Sequence, residues 1–322
     1  MKIQHLFYGF LFAFLTLFGK ELQAQTDYSW WNTQQNWNGF TSWVDYMILS
    51  PYYLGPNALP VPFSEKGEVG AKAYFRIYSD WYHQAGGDTQ DLGGKLYLPL
   101  VKNAVAFEMW GIFQEHYSMS ETLAVENRAR HQHPRGFAVG DVYFATVVAL
   151  PLPENFPDVA LRIGLRTASG NRLYEARYTD TPGYFFDLSA GKNLDLKQNS
   201  FIRFHAMLGF YSWQTNLSTY HQDDAFLYGA GMDYSFGKNT LSASLAGYSG
   251  YLGKRKTIII NELKPIPFND RPMVFRVGYS HEWQSIQAGL RYQYGLYDFK
   301  DQSIRLWIGY SFPIIKMGKR NQ

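Results

Sequence analysis

Residues 66–82, KGEVGAKAYFRIYSDWY, separate into two surfaces when taken at every second position. Val69, Ala71, Ala73, Phe75, Ile77 and Trp81 share one face, and Lys72, Tyr74, Arg76, Tyr78 and Asp80 share the other. Period-two alternation is the mark of a strand with unlike faces. It recurs along the chain and predicts twelve strands, at about 66–82, 92–101, 103–116, 138–150, 158–167, 183–194, 200–214, 224–236, 239–251, 272–283, 284–294 and 303–313. Ile202, Phe204, Ala206, Leu208 and Phe210 alternate with Arg203, His205 and Met207; Ile304, Leu306, Ile308, Tyr310 and Phe312 alternate with Arg305 and Ser311. On the strand at 103–116, Val105, Phe107, Met109 and Phe113 are set against Glu108, Trp110 and Gln114. Most of these strands run to ten residues or more, longer than the strands of ordinary globular sheets and suited to crossing a bilayer at a tilt.

The connections are expected to alternate. Long ones are predicted at 83–91, 117–137, 168–182, 215–223, 252–271 and 295–302, with shorter ones near Lys102, 151–157, 195–199, Gly237–Lys238 and Trp283–Ser285. Long loops at one end and short turns at the other fit a meander whose ends meet different compartments. The pattern predicts an all-β fold, a transmembrane antiparallel up-and-down β-barrel of about 12 strands, with both termini at the short-turn end. The apolar face then meets lipid and the polar face lines the lumen. A large secreted β-sandwich is the competing architecture.

Composition sharpens this picture. The chain of 322 residues holds 25 Tyr, 24 Phe and 9 Trp, enough aromatics to form girdles at both membrane interfaces. Lys2 followed by the apolar run Leu6–Phe18 and Leu22-Gln23-Ala24 reads as a cleaved signal peptide over 1–24, so the expected location is the outer membrane of a Gram-negative cell. With no cysteine, neither a lipid anchor on sulfur nor a disulfide is available after export. Removing Lys2, Lys20 and Glu21 leaves 28 basic and 26 acidic residues, a balance that gives no reason to expect nucleic acid as a partner. No cofactor motif is present. The expected partners are outer-membrane lipid, the barrel-assembly machinery during biogenesis, and small solutes.

The expected organisation is thus a signal peptide (1–24), an aromatic and Pro-rich arm or plug (25–65), the barrel (66–313) and a tail (314–322). The arm carries Trp30, Trp31, Trp37 and Trp43, then Pro51, Pro56, Pro60 and Pro62, which exclude a central strand. It either packs at the periplasmic mouth or threads the lumen. Parity gives the candidate solute path: Lys72, Arg76, Asp80, Glu108, Arg162, Arg166, Asp187, Arg203, His205, Asp233, Arg276, Glu282, Arg291 and Arg305, with Lys95 and Asp141 on the same face. Bases exceed acids nine to six there, which predicts a mild preference for anions. In the alternative, the charges pair across a barrel that conducts nothing.

The stretch GFAVGDVYFATVVALPLPENFPDVALRIGLRTASGN (136–171), followed by YFFDLSAGKNL (184–194), resembles the outer-membrane transporter-like barrels named after the MetA pathway of phenol degradation. The resemblance implies a passive channel or uptake function for small, often hydrophobic molecules and no catalytic residue. SIRLWIGYSF (303–312) resembles the final strand read by barrel-assembly machinery. A lipid hydrolase on the outer wall is a further alternative and needs a Ser and a His in contact near the outer leaflet. Parity places His281 outward at the periplasmic end and His205 inward, and sets no outward Ser beside an outward His at the external end. His116, His131 and His133 are the one histidine set with metal-binding potential, and no metal site is expected from them.

Overall fold

The structure, a computed structural model, describes residues 27–131, 133–197, 199–217, 220–250 and 271–313. The expected signal peptide, the tail and most of the loop at 252–271 lie outside these residues.

Among the described residues the strands are β1 (Ala73–Gln84), β2 (Gly87–Val101), β3 (Val105–Met119), β4 (Arg135–Ala138), β5 (Val142–Leu150), β6 (Asp158–Arg166) and β7 (Gly183–Asp195). They continue as β8 (Ser200–Leu217), β9 (Tyr220–Phe236), β10 (Asn239–Gly250), β11 (Met273–Trp283), β12 (Ile286–Tyr297) and β13 (Gln302–Phe312). Each pairs antiparallel with its neighbours, and β1 pairs with both β2 and β13, which closes the ring. β4 and β5 both pair with β3, from Ser118↔Arg135 through Val105↔Val148, so they form one wall strand interrupted at 139–141. The result is a closed antiparallel barrel of twelve wall strands. Closure pairs the wall strands on both sides, as hydrocarbon surroundings require, and leaves the short β4 at the rim paired with β3 alone.

Parity decides the two faces. Along β7, burial alternates residue by residue from Gly183 to Ser189, with Tyr184, Phe186 and Leu188 outward and Asp187 inward. Ile163, Leu208 and Ile308 are each more than half exposed on the outer wall, whereas Arg162 and Arg203 on the inner face are buried. An outer band of exposed Leu, Ile, Phe and Tyr around a polar interior is the inverse of a soluble barrel and the arrangement lipid demands.

The structure departs from the expected boundaries at three places. β1 starts at Ala73, so the alternation over 66–72 does not mark strand. The expected loop at 83–91 is a tight hairpin, because Gly86 takes φ +85° and lets the chain reverse within Ala85–Gly86. The expected loop at 215–223 is mostly strand, since β8 runs to Leu217 and β9 starts at Tyr220. Among the described residues, long connections remain at 120–134 and 167–182, both at one end of the barrel.

Ahead of the barrel, a short helix α1 (Ser29–Gln34) lies at this long-loop end. Trp31 donates its indole N–H to the Arg128 carbonyl (2.9 Å), and Arg128 donates to the Tyr46 carbonyl (3.1 Å). Arg130 stacks over Tyr28, Trp31 and Trp43 at 3.9, 4.9 and 5.2 Å. These partners belong to the β3–β4 connection, which contains helix α2 (Glu121–Glu126), N-capped by the Ser120 hydroxyl. From there the chain descends inside the wall. Met47, Leu49, Leu54, Ala58, Leu59 and Val61 are buried against inward residues such as Tyr143, Phe185 and Trp213. It emerges at the short-turn end, where Val69 packs on Tyr97 and Ala106 and the Tyr97 hydroxyl donates to the Gly70 carbonyl (3.3 Å) before β1 begins.

Candidate functional site

An extended, proline-bearing segment inside a barrel has backbone carbonyls that no strand can satisfy. The inner wall supplies the donors. Arg166 donates to the Ala58 carbonyl, and the Tyr248 hydroxyl to that of Leu59 (2.8 Å). Arg276 donates to the carbonyls of Val61 (2.7 Å) and Pro62 (2.8 Å), and Arg203 to that of Lys66 (2.8 Å). Three inward arginines of the expected solute path are therefore holding backbone.

Other members of the set are ion-paired. Arg305 grips Asp80 through two hydrogen bonds, Nε to Oδ1 at 2.6 Å and Nη2 to Oδ2. Lys95 pairs with Glu108 at 2.7 Å, Arg162 with Asp187 at 2.8 Å and also with Glu65, and Arg203 with Asp158 at 2.8 Å. Asp233 pairs with Lys66 at 2.5 Å, and His205 Nδ1 shares a hydrogen bond with the Ser64 hydroxyl at 3.1 Å. Arg166 Nε and Asp141 are 3.8 Å apart. Lys72 and Glu282 pair at 3.1 Å at the more exposed short-turn mouth. Ser64 and Glu65 lie in the threaded segment ahead of any expected strand, and Lys66 and Glu68 lie in 66–72, which was expected as strand and is not.

Arg76, Arg276 and Arg291 stand apart, having no carboxylate partner among the described residues. Arg76 stacks on Trp307 at 3.9 Å, and Arg276 is hydrogen-bonded to Gln293 at 2.7 Å. Arg276, Arg291 and Arg305 surround the Phe63 ring at 4.5, 4.2 and 5.6 Å. A cavity of about 840 Å³ lies on the short-turn side, touching Phe63, Arg76, Arg291, Trp307 and Lys238. A smaller one of about 150 Å³ lies among Pro60, Phe63, Lys95, Trp110 and Arg291. Phe63 lines both, so the threaded segment sets the narrow point and three guanidinium groups frame it.

A second cluster occupies the long-loop end. Glu115 accepts from Arg177 Nε (2.8 Å), the Tyr178 hydroxyl (2.8 Å) and Asn57 (2.8 Å), while Asn57 also donates to Asp91 (2.8 Å). Arg177 and Tyr178 come from the 167–182 connection, which turns inward to bury Ala176, Thr179 and Thr181 as well. At its edge Asp301, in the turn between β12 and β13, is pushed up to about 7 by burial, against the opposing pull of Arg177.

Glu115 was missed for a definite reason. A register shift at Leu92/Gly93 places a bulge in β3 opposite, so Phe113 and Gln114 both face outward and the parity beyond them is reversed. Gln114, expected inside, is outside; Glu115 is inside; His116 and Ser118 lie on the outer face after it. The expectation that no outward Ser lies near an outward His at the external end is thereby overturned. His83 Nδ1 is 2.6 Å from Asp88, whose backbone N–H donates to Ser118 Oγ at 3.2 Å. No Ser–His hydrogen bond is found on the outer face among the described residues. His281 bonds Asn239 at 2.8 Å at the opposite end. His116 and His131 engage Gln114 and Trp30 instead of each other, and among the described residues no three His, Cys, Asp or Glu side chains form a metal-binding group.

No family model and no curated protein matches the sequence. Among solved structures the chain is similar to an outer-membrane channel from Pseudomonas putida F1, at 12% identity over 80% of this chain and 97% of that one, with a TM-score of 0.52. It is similar also to the NanC porin (12% identity, 74% of this chain and 100% of that one, TM-score 0.45) and to LpxR from Salmonella typhimurium (13%, 74% and 100%, TM-score 0.45). At such identities the likeness is one of fold, and the fold is that of an outer-membrane β-barrel.

Proposed function

We propose that this chain resides in the outer membrane of a Gram-negative cell, exported by its N-terminal signal and inserted by barrel-assembly machinery, and works there as a passive channel for small anionic solutes. Residues 47–66 keep its lumen narrow. The observation that supports the reading is the set of Arg76, Arg276 and Arg291, which face the 840 Å³ cavity or its narrow point without a carboxylate partner among the described residues. Positive charge inside low-dielectric walls concentrates anions and repels cations.

Reversal potentials in planar bilayers under a salt gradient test it. The wild type should prefer anions, and Arg76→Gln with Arg291→Gln should move the reversal potential toward cation preference. That shift should shrink as ionic strength rises and the screening length drops to a few ångströms. A cation-selective wild type would sink the proposal.

The second reading is a closed structural barrel. It is favoured by the carbonyl bonds from Arg166, Arg203 and Arg276, which tie the segment down. Deleting residues 27–62 separates the two: a heat-modifiable barrel that still conducts nothing supports the scaffold, and a gain in conductance supports the channel.

A further inference from the structure

Toward the long-loop end, the apolar outer wall is interrupted by polar side chains on β13, β1, β2, β3 and β4. Strand pairing sets Gln302, His83, Asp88, Ser118 and Arg135 directly opposite one another across β13, β1, β2, β3 and β4. Directly opposed residues share a face, and here it is the outer one. Two residues further from the long-loop end, about 7 Å along the strands, Ile304, Trp81, Gln90, His116 and Phe137 form the next row. Deeper still, Gln114 is hydrogen-bonded to His116. The bulge in β3 is what brings Gln114, His116 and Ser118 outside. On the other side of the barrel the wall toward this end shows Tyr184, Phe186, Phe226 and Tyr294, with Gln214 and Gln222 nearer the rim on β8 and β9.

The interruption is concave. A cavity of about 750 Å³ is lined by Trp81, His83, Gln90, His116, Arg135 and Ile304. Arg135 and Gln90 have no side-chain hydrogen-bond or ion-pair partner among the described residues. His116 Nε2 is hydrogen-bonded to the Gln114 amide, which leaves the other ring nitrogen, Nδ1, to meet a ligand. The one acid, Asp88, is engaged by His83. The hollow therefore offers a guanidinium in the row nearest the rim and an imidazole and an amide in the next row, flanked at that depth by Trp81 and Ile304, with Phe113 exposed below.

We propose that this hollow is a binding site for one phosphorylated lipid of the outer leaflet. Its phosphate oxygens accept hydrogen bonds from Arg135 and His116, and its acyl chains lie along Trp81, Ile304 and Phe113. Charge-assisted bonds from a guanidinium to phosphate are among the stronger polar contacts, and a headgroup that covers these donors can replace the water it displaces. Inorganic phosphate would satisfy the donors but leave the apolar floor bare. The proposal rests on the outer-membrane reading of the barrel and is independent of whether the lumen conducts.

Delipidated, purified barrel in nonionic detergent can be titrated with dimyristoyl phosphatidic acid, with dimyristoylglycerol and with inorganic phosphate, and bound lipid counted by native mass spectrometry. The expected result is one saturable phosphatidic acid per barrel, at least tenfold weaker binding of the phosphate-free lipid, and no displacement by equimolar inorganic phosphate. Arg135→Gln combined with His116→Phe should lower affinity about tenfold, whereas Lys102→Gln at the other end should leave it unchanged. Equal binding of the two lipids, displacement by equimolar phosphate, or full affinity in the double variant would overturn the site. If the double variant yields no heat-modifiable barrel, the wild-type comparison of the two lipids and Gln90→Leu decide. Cell fractionation tests the outer-membrane reading separately, so its failure is distinguishable from failure of the site.

Discussion

Arg276 Nη2 lies 2.7 Å from the carbonyl oxygen of Val61, a residue 215 positions away in the chain. The guanidinium also bonds Pro62 and Gln293, so one side chain of β11 fixes the threaded segment at its narrow point. Each hydrogen bond to a charged donor contributes about 1.5–3 kcal/mol. Arg276→Gln should therefore speed amide exchange of residues 58–64 at least tenfold while the wall strands keep their protection, and should raise single-channel conductance. Unchanged exchange in that window would mean the segment is held by its apolar packing alone.

Arg305 and Asp80 should behave as a unit. Asp80 is buried and receives both of its hydrogen bonds from Arg305, so removing either partner strands a charge in the lumen. Arg305→Gln or Asp80→Asn alone is expected to cost about 3–5 kcal/mol, and the double variant to recover most of it. Urea unfolding of the four proteins in lipid gives the cycle, and additive single effects would contradict the pairing.

The assignment of faces has its own test. Leu208 sits on the outer wall in mid-strand, whereas Gln287 faces the lumen opposite Glu282. Leu208→Arg should lower stability by about 2–4 kcal/mol at the bilayer midplane, and Gln287→Arg by much less. Equal losses in lipid would reverse inside and outside.

Asp301 should make the long-loop end sensitive to pH. Burial holds its carboxyl at about 7 when folded, above the unfolded 3.8, with Glu115 adding to the rise and Arg177 and Lys300 opposing it. The folded state thus binds the extra proton between these values. The stabilisation is fully present below about pH 3.8 and lost as pH rises through about 7. Wild type should melt at higher temperature at pH 5 than at pH 8, and Asp301→Asn should shrink that difference. An identical pH response in the variant would assign the effect to other groups.

Strands, their number and the lipid-facing residues were legible because a period of two repeats wherever one face meets lipid. The alternation over 66–72 misled because Val69 and its neighbours obey the same parity while their backbone bonds to Arg203 and Tyr97 rather than to a strand. The bulge at Phe113–Gln114 was invisible, since one extra residue changes no residue type and only inverts the facing of Glu115, His116 and Ser118 beyond it. The role of the inward arginines could not be read either. In the sequence Arg166, Arg203 and Arg276 look like Arg291, and only the position of the threaded carbonyls distinguishes them.

The path of residues 27–73 also bears on assembly. Helix α1 and its aromatic cluster sit beyond one rim, and β1 begins at the other, so the chain passes through the ring that β1 and β13 complete. A ring that had already shut would have to admit Trp30, Trp31, Trp37 and Trp43 end-on through its lumen. The cheaper order is for the seam between β1 and β13 to zip last, around a segment already laid inside. The barrel is then born filled, and its contents cannot be lost without drawing that aromatic head back through the wall's own interior.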